Sequence, residues 1–210
     1  YLIMYKLLAI LIALSFFGIS QAETTVLYGK RANDIVSGGE VVRLKDFTSV
    51  PNYVKFKSGQ ELPFNKLNSW LNNFYSLELL NVETDKLGFT HYRYQQTINN
   101  VPVRLSMFIV HTKNGLIKSM NGELFDKPID AMTSSLNEEE ALDAALTFVG
   151  AEQYKWEIAH EEEHLKWSTE DNNSTYYPKA DLVYVNPKGN INNELKLAHR
   201  FNIYAHQPMS

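Results

Sequence analysis

The stretch from Phe89 to Gly122 constrains the fold more than any other part of the chain, because turn signals cut it into three consecutive strand patterns. From Phe89 to Ile98 the side chains alternate between two faces. Phe89, His91, Arg93, Gln95 and Thr97 share one face, and Thr90, Tyr92, Tyr94, Gln96 and Ile98 the other. Asn99-Asn100 tolerates positive φ and predicts a two-residue turn. Beyond it, Val101, Val103, Leu105, Met107 and Ile109 place five apolar side chains on one face, so a half-buried second strand is expected. Asn114-Gly115 predicts the next hairpin, Leu116 to Met120 a third strand, and Asn121-Gly122 a further turn. The outcome is an antiparallel meander with one apolar face, which some other part of the chain must cover.

A candidate for that cover precedes the meander, and a second unit follows it. On the N-terminal side, Pro63 and Phe64 introduce Leu67, Trp70, Leu71, Phe74 and Tyr75 at spacings of three and four, the pattern of an amphipathic helix. Its aromatic stripe reads as a lid on the meander rather than a cofactor site. On the C-terminal side, beyond a connector from Leu124 to Thr133, Asn137 to Glu140 predicts a capped helix start. Ala141, Leu142, Ala145, Leu146 and Val149 give that helix one apolar face, and Gly150 closes it. Leu182 to Val185 and Leu195 to Tyr204 then read as strands. A helix followed by an antiparallel sheet, occurring twice, makes the fold class α+β with two small units. Residues 23 to 62 carry only short apolar pieces between turn signals and read as a leader with one or two short strands.

The start of the chain gives an address. Lys6 precedes an apolar run from Leu7 to Phe17, and Ser20 and Ala22 are the small residues of a cleavage site ahead of Glu23. Residues 1–22 therefore read as a secretory signal peptide. A membrane anchor is the competing reading, disfavoured by a run shorter than the roughly 20 residues a span needs. The first residue is Tyr1 and the first methionine Met4, which points to a gene fragment. Removing the signal takes away one lysine and no acid, leaving 19 basic against 24 acidic residues, a net charge of −5. A mildly acidic exported chain argues against a nucleic-acid partner and against an anionic membrane surface. With no cysteine it has no disulfide staple, thiolate nucleophile or cysteine metal site.

The meander also carries a resemblance. Thr90-His91, Arg93, Gln95-Gln96, Val101-Pro102-Val103, Val110-His111, Gly115 and Asn121-Gly122 resemble the propeptide module of thermolysin-like and fungalysin-like secreted metallopeptidases. One departure stands out, because Arg104 to Met107 is bulky where such propeptides often place small residues. The second unit resembles the PepSY module that follows in the same pro-regions, through Asn137 to Leu142, Tyr154 to Glu157, Tyr177-Pro178-Lys179, Asp181 to Val185 and Leu197 to Phe201. The resemblance implies a signal peptide (1–22), a leader (23–62), a propeptide module (63–126) and a PepSY-like module (133–210), each module cystatin-like. It implies that the second module is incomplete at Ser210 and that the catalytic domain is absent. It further implies a secreted or periplasmic product whose partner is its own metallopeptidase catalytic domain in cis. No cofactor is expected in this chain, zinc and a candidate calcium belonging to that domain.

One motif competes with this reading. His160-Glu161-Glu162-Glu163-His164 fits H-E-x-x-H, which on a helix places two imidazoles on one face for zinc with a glutamate as general base. A catalytic zinc needs a third protein ligand, and the position about twenty residues on falls at Tyr184 in a strand pattern with no acid from Val183 to Asn186. The flanks EIAHEEEHLKW are charged rather than apolar, so the segment is expected to be a solvated face and is rejected as a metal or catalytic site. His91 and His111 are expected to meet on one face of the paired strands in a structural role. Arg93, Gln95 and Gln96 serve either the module's own hydrogen-bonded framework or a partner surface. Asn172 and Asn173 open N-x-S/T sequons. The leading reading is a binding module without catalytic residues, a pro-region that assists folding of its protease and inhibits it. The alternatives are an exported inhibitor acting in trans and a zinc hydrolase using His160, Glu161 and His164.

Overall fold

The structure, a computed structural model, describes residues 24–45, 50–71, 76–125, 136–187 and 195–206. The signal-peptide expectation, with its cleavage between Ala22 and Glu23, lies outside the described residues, as do Phe74 and Tyr75. In chain order the elements are β1 (Thr24–Tyr28), α1 (Lys30–Ile35), β2 (Gly39–Lys45), β3 (Tyr53–Phe56) and β4 (Leu62–Pro63). A 3-10 turn (Phe64–Lys66) and α2 (Leu67–Leu71) lead into the meander of β5 (Ser76–Thr84), β6 (Thr90–Ile98), β7 (Val101–Lys113) and β8 (Leu116–Gly122). The C-terminal part has α3 (Glu138–Val149), a 3-10 turn (Lys155–Glu157), α4 (Ala159–Thr169), β9 (Asp181–Val185) and β10 (Lys196–Arg200). The chain is thus a mixture of helix and mostly antiparallel sheet.

The meander forms where the turn chemistry places it. Asn99 and Asn100 both have positive φ (51° and 65°), as do Asn114 and Gly115 (54° and 72°), the backbone a two-residue hairpin requires. The stretch from 24 to 56 does more than the sequence reading gave it. It contributes three strands and a helix, and β3 pairs antiparallel with β8, so the sheet runs β1-β2-β3-β8-β7-β6-β5. Its apolar residues Ala32, Val36, Val42, Val54 and Phe56 join Leu67, Leu71, Phe108, Val110, Ile117 and Met120 in one core. The predicted helix after Phe64 is present as the 3-10 turn and α2. Leu67 and Leu71 are buried, Trp70 packs beside them, and the Phe64 ring stacks on Tyr92 at 4.2 Å.

Two expectations about the meander are corrected. The five residues read as one apolar face of β7 do not share it, since Val103 is fully buried whereas Leu105 is 78% exposed and Met107 41% exposed. Phe108 and Val110, on the opposite alternation, fill the core instead. The cause is a bulge: Leu105 sits at φ 63°, and the ladder to β6 shifts register between Gln95 and Thr97. Two steps on β6, from Gln95 to Thr97, face five on β7, from Met107 back to Pro102, and an odd excess of three residues exchanges inside for outside along everything that follows it. Asn121-Gly122, expected as a turn, belongs to β8, where Asn121 faces Ile109 and Gly122 faces Phe108.

The bulge also turns the start of β7 toward a second core. Val103 pairs in parallel with Tyr184 of β9, and β10 pairs antiparallel with β9. Ile98, Val103, Phe125, Tyr184 and Leu195 are buried together there. Ahead of this hairpin, Asn137 caps α3 as expected: its side chain accepts from the Glu140 amide (2.9 Å) while its own amide donates to the Glu140 carboxylate (3.1 Å). Gly150 ends α3 in the left-handed conformation. The apolar face of α3 is half-buried, with no residue of the helix fully enclosed.

Candidate functional site

The motif residues of β6 and β7 converge on the bulge. Gln96 is fully buried; its Nε2 donates to the Phe125 carbonyl (2.6 Å), and its Oε1 accepts from the Phe125 amide (2.9 Å) and the Ser106 hydroxyl (2.6 Å). Gln95 points the other way. Its Nε2 lies within 2.7 Å of the Val103 carbonyl and 2.9 Å of the Ser106 carbonyl, bridging the two sides of the bulged segment, and within 3.0 Å of the Gln96 carbonyl. These two amides stabilise an irregular backbone whose carbonyls a regular ladder would otherwise satisfy. Both glutamine amides are thus engaged in the module's internal framework. Arg93 differs, reaching Glu83 at 3.3 Å on an exposed surface.

Around the far end of the same strands runs a line of polar groups on the face opposite the main core. Asp85, in the β5–β6 turn, accepts the amides of Leu87 (2.8 Å) and Phe89 (2.9 Å) on Oδ1. Its Oδ2 lies 3.4 Å from His91 Nε2. His91 Nδ1 meets His111 Nδ1 at 2.6 Å, as the register His91↔His111 dictates, and His111 Nε2 meets Asn121 Oδ1 at 2.7 Å. The two histidines do meet, and the register shift between Gln95 and Thr97 is what puts them on one face. The Phe89 amide, followed by the Leu87 amide and His91, holds the Asp85 carboxyl below the usual carboxylate range against the opposing effect of burial.

The remaining motif residues are structural in their contacts. Thr90 Oγ1 lies 3.0 Å from Thr84 Oγ1, and the Thr90 carbonyl accepts from Thr112 Oγ1 at 3.4 Å. Pro102 faces Thr97 where the ladder resumes after the bulge. Gly115 supplies the left-handed turn position, with open space where a side chain would stand. At Gly122 the requirement is steric, because a Cβ would overlap the Met107 carbonyl and approach the Phe108 Cα to 2.7 Å.

The H-E-x-x-H segment is helical, forming the first half of α4. His160 and His164 are exposed, and the Glu161 carboxylate is engaged by Lys155 Nζ (3.1 Å) and faces His206 Nδ1 (3.5 Å). The Lys155 hydrogen bond holds Glu161 below its ordinary range, so it is an ion-pair partner rather than a poised base. Among the described residues no group of three or more metal-ligating side chains comes together.

Sequence reasoning missed three contributors. Asp85 was signalled by the Asp-x-x-Gly turn composition of Asp85 to Gly88. Ser106, a lone hydroxyl in an apolar strand, gave no signal stronger than its own polarity. Lys45 and Glu123, 2.6 Å apart, are 78 positions apart in the chain and gave none.

Comparison with known proteins matches the fungalysin/thermolysin propeptide motif to residues 75–124. This interval runs from the residue before β5 to the residue after Glu123, so it contains the whole meander, both glutamines and both histidines. A bacillolysin from Bacillus amyloliquefaciens is 37% identical over 78 residues, covering 35% of this chain and 15% of that protein. A bacillolysin from Bacillus subtilis (strain 168) is 35% identical over 77 residues, covering the same shares. The matched stretch thus spans about 15% of the length of these relatives. Among the described residues no helix is long and apolar enough to cross a membrane.

Proposed function

We propose that this chain is pro-region material of a secreted zinc metallopeptidase, acting in cis on the catalytic domain as a folding assistant and inhibitor. The observation that carries the reading is the propeptide motif over residues 75–124, laid on a meander whose motif amides are consumed in building the module itself. Such a framework presents a fixed surface and needs no bond chemistry of its own. A pro-region that binds the folded catalytic domain better than the unfolded chain stabilises the native enzyme by mass action. Its covalent tether makes that binding intramolecular, so modest contacts hold until the tether is cut.

In this reading residues 1–22 are the export signal, removed between Ala22 and Glu23, and the product is secreted or periplasmic. Residues 63–126 are the propeptide module, its sheet extended by β1 to β3, and residues 133–210 are a PepSY-like module, both cystatin-like. Zinc, with calcium as a second candidate, belongs to the catalytic domain, and neither nucleic acid nor a membrane surface is a partner. His160, Glu161 and His164 take no part in catalysis, in keeping with the Lys155 contact of Glu161.

Sequencing the gene beyond the Ser210 codon tests the proposal. The expected result is an open frame reaching a second H-E-x-x-H with apolar flanks and a glutamate downstream. A stop codon directly after Ser210 would overturn action in cis and leave an exported inhibitor acting in trans.

A further inference from the structure

The contact between His91 Nδ1 and His111 Nδ1 is too short to be anything but a hydrogen bond, at 2.6 Å, and a hydrogen bond between two ring nitrogens holds one proton. We propose that His91 and His111 form a proton-sharing pair that limits the folded meander to a single net proton on the two rings, making its stability acid-sensitive. The inference rests on geometry in the sheet and stands whether or not the chain serves a protease.

The neighbours of the pair fix how many protons it can hold. In the singly charged state His91 donates from Nε2 to Asp85 Oδ2 and from Nδ1 to His111 Nδ1, while His111 donates from Nε2 to Asn121 Oδ1. Every ring nitrogen then has a partner, and the charge lies beside a carboxylate. In the neutral state His111 Nδ1 donates to His91 Nδ1, and rotation of the Asn121 amide turns its NH₂ toward His111 Nε2, so the line remains satisfied. A second added proton would set two N–H groups against each other at the Nδ1 contact. The fold has to break that contact to accept it.

Other charged groups around the pair do not relieve this. From β5, Glu83 stands opposite His91 but is engaged by Arg93 of β6. Asp85 is already the partner of His91. On β7, Lys113 holds its ammonium 5.0 Å from the centre of the Phe89 ring. β8 brings Ser119 and Asn121 opposite His111 and Ile109, and its Lys118, at the neighbouring register shift, is bound to Glu61 at 2.6 Å. On β3, Lys55, which pairs with Ser119, is bound to Glu40 of β2 at 2.8 Å. No second carboxylate is placed to hold another proton's charge.

The unfolded chain has no such limit, and its two histidines take up two protons below about pH 6.5. There the unfolded state binds more protons than the folded one, so stability falls as pH falls. One excess proton corresponds to a tenfold rise in the unfolding equilibrium constant for each pH unit.

The test measures urea unfolding of the full chain between pH 7 and pH 5, alongside His111→Gln. Glutamine leaves His91 free to carry both of its protons, one toward Asp85 and one toward the new side-chain oxygen. The other histidines are common to both proteins, so their contribution cancels in the comparison. The expected result is an extra tenfold change per pH unit below pH 6 in the parent chain, absent from the variant. Nitrogen-15 NMR of the parent's imidazoles provides a second readout that does not depend on the variant folding. At pH 5 in the folded protein the two rings together should carry three N–H protons. Parallel pH profiles for parent and variant, or any other count of ring protons, would overturn the proposal.

Discussion

Gly122 faces Phe108 across the β7–β8 ladder at a separation that leaves no room for a side chain, since a Cβ on Gly122 would overlap the carbonyl of Met107. The obstacle is backbone on a strand whose partners on both sides are fixed, so it cannot swing aside as a flexible side chain would. Gly122→Ala is therefore expected to cost about 3 kcal/mol through forced displacement of β7. Gly115 supplies the contrast, since both glycines have positive φ (151° at Gly122, 72° at Gly115) but nothing lies within 4 Å of a Cβ on Gly115. Gly115→Ala should cost only the left-handed conformational penalty, about 1 kcal/mol. Urea denaturation of the two variants checks the order; equal losses would show that steric overlap at Gly122 is not what demands glycine.

Gln96 is the polar centre of the bulge. Gln96→Leu keeps the volume but leaves the amide and carbonyl of Phe125 without a partner in a buried site, while the Ser106 hydroxyl retains the Glu123 carbonyl as its acceptor at 2.7 Å. Unsatisfied buried groups cost about 1–3 kcal/mol each, so a loss of about 3 kcal/mol is expected after partial relaxation. Gln95 is only partly buried, so on its truncation water can enter the space its amide leaves and reach the carbonyls of Val103, Ser106 and Gln96, which belong to buried residues. Gln95→Ala should cost about 1 kcal/mol and show its effect first as faster amide exchange from Val103 to Ser106. Hydrogen-exchange measurements on both variants separate the two roles.

Much of this architecture was legible because it is locally encoded. Asn99-Asn100 and Asn114-Gly115 set their turns within two residues, and Asn137 and Glu140 cap α3 within four. The pairing of His91 with His111 is not local in this sense, because the register next to the first turn would set His91 opposite Phe108 and only the bulge moves His111 there. What escaped the sequence depends on partners far along the chain or on the three extra residues of the bulge. The alternation of β7 was read without interruption, and the bulge at Leu105 reversed it, placing Phe108 rather than Met107 in the core. A periodic pattern carries no mark of a bulge when the residue at positive φ is leucine instead of glycine. Residues 24 to 56 have short strands whose membership in the sheet is set by the pairing of β3 with β8, some 65 residues later. The solvent exposure of His160 and His164 could be read from the charged flanks of the motif, whereas the pairing of Glu161 with Lys155 is a tertiary detail that spacing does not encode.

Leu105 is the strained member of the bulge. It combines φ 63° with 78% exposure, so its side chain gives little burial in return for a conformation that disfavours any Cβ. Leu105→Gly removes the clash but gives the unfolded chain more freedom, and the difference between the two effects favours the variant by about 0.5 kcal/mol. Thermal unfolding should show a small rise in midpoint. A drop would mean that Leu105 contributes contacts that its exposure hides.

Asp85 predicts a second acid-sensitive step, separable from that of the histidine pair by its pH window. Amides of Phe89 and Leu87, together with His91, hold its carboxyl below the ordinary value of 3.8 in the folded protein. A carboxyl depressed by folding contributes stability that is fully present above its unfolded value and is lost as pH falls through the lower, folded one. The window therefore opens near pH 4 and extends below it, while the histidine pair acts between about pH 6.5 and 5. Asp85→Asn keeps an oxygen to accept the Phe89 and Leu87 amides but cannot titrate. It should flatten the stability profile below pH 4. Because asparagine no longer offers a carboxylate to His91 Nε2, the singly charged form of the pair loses its counter-ion, so the decline of the variant on acidification should also begin at a higher pH than in the parent. A variant whose profile shifts in neither window would show that the Asp85 to Asn121 line is not electrostatically coupled to the stability of the sheet.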